Sequence, residues 1–163
     1  MSYQEKRTST EIFTSLLVLS AYCIYVFGVK DFGSATPLKT WAGSMLVFMG
    51  INIVLNILVQ ILFHILYSVS IAIKDQKRNA EFSEERVERS IEAEFVEDER
   101  DRLIDLKATR TGFIVSGLGL GAGLILLVLD YSPAVMLNVL YIALYFGSIM
   151  EGAAELYQYR KGI

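Results

Sequence analysis

Along one apolar stretch of this chain every fourth residue is polar: Asn52, Asn56, Gln60, His64 and Ser68. A spacing of four places these groups on one slowly winding face of a helix. A second series, Asn138, Tyr141, Tyr145 and Ser148, leads at spacings of three and four into Glu151 and Glu155. Amides, an imidazole and carboxylates are costly in apolar surroundings unless they are paired or wet. The pattern fits two kinds of chemistry. One is hydrogen-bonding glue between helices; the other is the lining of a path for a proton, an ion or a small solute. In the second case Glu151 is the carboxylate to watch, with Gln60 and His64 as partners at similar depth, whereas Glu155 is expected to be solvated or paired with Arg160.

Other chemistries find little support. One histidine and one cysteine, Cys23, supply neither the spacing of a metal site nor a disulfide framework. No nucleophile stands beside a base and its orienting group. The sequence therefore predicts no enzyme, no catalytic residues, no metal and no cofactor.

The elements that must position these groups follow from composition. The 163 residues are 53% hydrophobic, with a mean hydropathy of +0.44, too apolar for an ordinary soluble domain. A helix needs about 20 apolar residues to cross a hydrocarbon core about 30 Å thick. Four segments qualify, at roughly 12–29, 41–66, 112–129 and 134–157. Lys6 and Arg7 ahead of the first, with Gly33-Ser34-Ala35 after it, imitate a signal peptide, but an internal repeat argues for a structural helix. At about 1.5 Å per residue from Ala134, Glu151 lies about 25 Å into the core.

Sliding the chain by 101 positions aligns Lys6–Val29 with Lys107–Asp130, with eight identities in 24. Among them are Thr8 with Thr109 and Ser15 with Ser116. A duplication of this kind predicts two helical hairpins in the same orientation. Within the third helix, Ser116, Gly117, Gly119, Gly121 and Gly123 form two overlapping small-residue registers. These favour close backbone approach inside the bundle or between copies.

The segment 74–110 holds 12 of the 18 acidic and 9 of the 15 basic residues, and so carries the entire net charge of -3. Such a balance excludes an electrostatic nucleic-acid binder. With the N-terminus inside, 13 of the 15 basic residues are cytoplasmic and only Lys30 and Lys39 are outside, as the positive-inside rule requires. Within the charged segment, Val87, Ile91 and Phe95 form an apolar stripe for docking a cytoplasmic partner. Asp98, Glu99 and Asp101 precede the third helix and can clamp Arg160 and Lys161 at the end of the fourth.

The string Glu97-Asp98-Glu99-Arg100-Asp101-Arg102-Leu103-Ile104-Asp105-Leu106-Lys107-Ala108-Thr109-Arg110, running straight into a transmembrane helix, resembles the signature of a family of bacterial and archaeal multi-pass membrane proteins catalogued as domain of unknown function 2178. The ending Leu156-Tyr157-Gln158-Tyr159-Arg160-Lys161-Gly162 is similar to the aromatic-basic ending seen there. The resemblance covers about the last 70 residues and implies a small protein of the cytoplasmic membrane, sometimes encoded beside a helix-turn-helix regulator. It implies no activity and transfers no catalytic residues.

The sequence thus predicts an all-α, polytopic membrane protein of the prokaryotic cytoplasmic membrane with both termini cytoplasmic. Two transmembrane hairpins, 1–73 and 111–163, are joined by a charged cytoplasmic helical linker at 74–110. Its partners are the lipid bilayer, a second copy in a homo-oligomer with a dimer favoured, and a cytoplasmic protein. The leading functional expectation is a non-enzymatic regulatory or scaffold module. The alternative is a small transporter or channel using the polar face of the second helix and Glu151.

Overall fold

The computed structural model describes residues 3–28, 37–78 and 99–161. It is all-helical, with α1 Tyr3–Gly28, α2 Leu38–Arg78, α3 Glu99–Val128 and α4 Pro133–Lys161. Each helix is long and apolar enough to cross a membrane. All four outrun their apolar stretches, because the flanking Glu, Lys, Arg and Gln are good helix formers and continue the hydrogen-bond ladder. At 41 residues, α2 is one unbroken helix of about 60 Å. Residues 74–78 belong to α2 and 99–110 to α3, while Val87, Ile91, Phe95 and Asp98 lie outside the described residues.

The α3–α4 connection is short, and its chemistry is local. The Tyr131 amide donates to the Leu126 carbonyl and the Asp130 amide to that of Leu127, the paired bonds of a Schellman stop. Asp130 takes the left-handed position with φ 62°, which its short polar side chain tolerates. Pro133 then opens α4 at a position where its missing N–H costs nothing. Ser132 accepts the first amides of that helix, from Val135 and Met136.

Side-chain contacts order the helices. Along α3 and α4 the facing positions run in opposite directions, Gly112 against Glu151, Ser116 against Gly147, Gly119 against Ala143 and Gly123 against Met136. α4 is also lined by α1, with Ile12 against Gly152 and Tyr22 against Asn138 and Tyr141. α2 lies mainly along α1: Lys6 stands over the Tyr67 ring, and Tyr22 and Tyr25 meet Phe48. The core is the aromatic cluster where α1, α2 and α4 converge: Val18, Tyr22, Val26, Trp41, Met45, Tyr141 and Tyr145. No residue of the most apolar window of α2 is buried against the rest of the chain.

Of the two small-residue registers in α3, one is used within the chain. Gly119 and Gly123, with Ser116, face α4, and a Cβ on Gly119 would collide with the Ala143 side chain. Gly117 and Gly121 face open space. Positions two apart on a helix differ by about 200° in direction, so both registers cannot face the same neighbour.

Candidate functional site: an acidic cavity between α1, α3 and α4

Where α1 begins, α3 begins and α4 ends, four carboxylates surround one cavity of ≈ 190 Å³. Glu11 comes from α1, Asp105 from α3, and Glu151 and Glu155 from α4, and Ile12, Ser15, Ser148 and Gly152 complete the wall. Two glycines permit the approach. Gly152 receives Ile12, whose Cγ1 would stand 2.6 Å from a Cβ there. Gly112 likewise makes room for Glu151, with 2.9 Å between the Glu151 Cβ and a Cβ built on it. Any side chain at these positions would push a carboxylate-bearing helix away.

Hydroxyl groups aim the two α4 carboxylates. Thr8 of α1 donates to Glu155 Oε1 at 2.8 Å, and Thr109 of α3 donates to Glu151 Oε1 at 2.7 Å. These threonines occupy equivalent places in the internal repeat, so matching residues of α1 and α3 grip glutamates four apart on α4. Each interaction leaves the second carboxylate oxygen, Oε2, without a described hydrogen bond. Glu11 Oε1 accepts from Arg7 Nε at 3.0 Å and from Gln60 Nε2 at 2.9 Å, tying α2 to the rim. Ser15 is 6% exposed and lines the cavity; its hydroxyl has no hydrogen-bond partner among the described residues.

The polar face expected on α2 divides. Asn56 donates to the backbone and side-chain oxygens of Asn52 at 2.9 and 2.8 Å, a bond within the helix. Gln60 reaches Glu11 rather than Glu151, because α1 stands between α2 and the cavity. His64 is exposed in the C-terminal half of α2 and does not line the cavity. Of the expected face, only Glu151 borders the cavity directly. Glu155, expected in solvent or beside Arg160, is half-buried and directed at Thr8.

Glu99 and Asp101 occupy the first turn of α3, and Arg160 and Lys161 the last turn of α4, at the same end of the molecule. Lys161 Nζ lies 4.8 Å from the centre of the Tyr157 ring. Deeper in the bundle, Asn138 is 1% exposed. It accepts from Tyr22 Oη at 2.7 Å and donates to the Ala134 carbonyl, while Tyr141 Oη donates to Tyr145 Oη at 3.1 Å. Of these bonds, Tyr22–Asn138 joins α1 to α4 and the other two lie within α4.

Sequence reasoning missed Glu11, Asp105, Ser15, Thr8 and Thr109 as parts of a site. The available signal was the repeat, which pairs Thr8 with Thr109 and Ser15 with Ser116 at the depth of the α4 glutamates.

No family model, curated protein or solved structure matches the chain.

Proposed function

We propose that this chain is a non-enzymatic integral protein of the prokaryotic cytoplasmic membrane that binds small cations at the acidic cavity and passes them across the bilayer. The observation that carries the reading is the convergence of Glu11, Asp105, Glu151 and Glu155 from three helices on one cavity. Carboxylates gathered at the end of apolar helices attract cations and mark ion pathways. In this reading the termini are cytoplasmic, two hairpins of the same orientation are joined by the charged segment 74–110, and the cavity opens at the cytoplasmic surface. Membership of the family that the Glu97–Arg110 string resembles is part of the proposal.

The experiment is cation flux into liposomes containing the purified protein. Flux above empty liposomes that falls with Glu151→Gln supports transport; its absence from folded protein refutes it.

A second reading, a homo-oligomeric scaffold with a cytoplasmic partner, is favoured by the unburied α2 window and by the open register Gly117/Gly121. The two readings predict opposite sensitivities. A scaffold tolerates Glu151→Gln and Gln60→Leu but fails when Val87, Ile91 and Phe95 are made polar, and a transporter does the reverse.

A further inference from the structure

The cavity is specific in what it offers a ligand. Its polar lining among the described residues is four carboxylates and two serine hydroxyls, with no basic side chain. Carboxylate oxygens accept hydrogen bonds, and a serine hydroxyl accepts as well as donates. The wall is therefore rich in hydrogen-bond acceptors, with Arg7 outside it and paired to Glu11. Thr8 and Thr109 hold one oxygen each of Glu155 and Glu151, so those carboxylates are fixed before any ligand arrives, with Oε2 of each to spare. The buried Ser15 hydroxyl, without a partner among the described residues, adds a further group in want of a hydrogen bond.

Spacing separates ligand classes. Among the described residues, no three His, Cys, Asp or Glu side chains are grouped closely enough to hold a metal ion. A divalent cation needs such convergence, with six or more oxygens at about 2.0–2.6 Å. Acceptors spread around ≈ 190 Å³ instead suit a cation that carries several N–H donors of its own. At about 30 Å³ per water molecule, the space corresponds to about six waters, enough for a cation of a few heavy atoms. Charge-assisted N–H···O bonds to carboxylate are short and directional, and a planar guanidinium can bridge two carboxylate oxygens at once. The wall contains no aromatic ring, so it lacks the surface that attracts a quaternary ammonium ion.

We propose that the cavity between α1, α3 and α4 is a binding site for a small hydrogen-bond-donating organic cation, a primary ammonium or guanidinium group, held by Glu11, Asp105, Glu151, Glu155 and the Ser15 hydroxyl. The inference rests on the cavity of the proposed function and names its substrate class.

The test is equilibrium binding by titration calorimetry on the full chain in nanodiscs, using methylammonium and guanidinium as probes and tetramethylammonium and sodium as comparators. Saturable binding at one site per chain is expected for both probes. At least tenfold weaker binding is expected for tetramethylammonium, which lacks N–H donors, and for sodium. Glu151→Gln should weaken the probes at least tenfold and Ser15→Ala several-fold. Ser15→Ala removes one buried oxygen without adding bulk, so it keeps the test decisive if Glu151→Gln does not fold. Equal affinity for tetramethylammonium or sodium, no saturable binding by the wild-type chain, or probe affinity unchanged in a folded Ser15→Ala chain would overturn the assignment. Binding without liposome flux would remove the transport reading and leave this site standing, whereas flux without probe binding would do the opposite.

Discussion

Replacing Gly147 by alanine should destabilise the α3–α4 pair, while replacing Gly117 should not. A Cβ on Gly147 would collide with Ser116 Oγ and stand 2.8 Å from the Gly112 carbonyl oxygen, whereas a Cβ on Gly117 meets nothing within 4 Å. Both substitutions gain the same helix propensity, about 1 kcal/mol for alanine over glycine. Their difference therefore isolates the overpacking, which costs about 1–3 kcal/mol when a packed interface must shift. Backbone lies on one side of the clash, so a rotamer change cannot remove all of it. The assay is reversible unfolding in mixed detergent micelles followed by helical circular dichroism, with micelles in excess so that copies are separated. Gly147→Ala should be less stable than Gly117→Ala by about 1–3 kcal/mol, and adding Ser116→Gly should recover the side-chain part of the loss. Equal stability of the two single variants would refute the packing geometry.

Three further outcomes follow from individual contacts. Tyr22→Phe leaves the buried Asn138 oxygen without its 2.7 Å partner and should cost about 1–2 kcal/mol in the same unfolding assay. In a Cys23→Ala background, the pair Lys6→Cys and Tyr67→Cys should cross-link with a short bifunctional reagent, since these side chains meet across α1 and α2; Lys6→Cys with Trp41→Cys, at the far end of α2, should not. Arg160→Glu should lower stability by up to about 1 kcal/mol through its place in the last turn of α4. Asp101→Arg in the first turn of α3 should restore part of it, and no rescue removes the clamp.

The four helices were legible because each carries a predominantly apolar stretch of the length a membrane crossing needs. The small-residue face of α3 was legible as a face, but not which register it would use, since Gly119 and Gly117 are chemically identical and differ only in direction. That choice is made by Ala143 and Gly147 on another helix. Periodicity set Gln60 beside Glu151 as a partner, whereas its amide, exposed on α2, donates to Glu11. Which carboxylate an amide meets depends on helix order, and α1 brings Glu11 to Gln60 before Glu151 can be reached. The cavity was the least legible feature. Glu11 and Asp105 lie at the charged ends of their helices, where a sequence reads as solvated, and only the approach allowed by Gly112 and Gly152 gathers them with Glu151 and Glu155.

The most direct test of the acidic cavity as a working site is methylammonium uptake into liposomes under an imposed membrane potential, with the carboxylates replaced singly. Glu11→Gln, Asp105→Asn, Glu151→Gln and Glu155→Gln should each reduce uptake, most strongly at Glu151 and Glu155, which the threonine hydroxyls hold in place. Asp130→Asn, at the opposite end of α3 in the left-handed turn, should leave it unchanged. Uptake that falls equally in all five variants, or in none of them, would contradict the account.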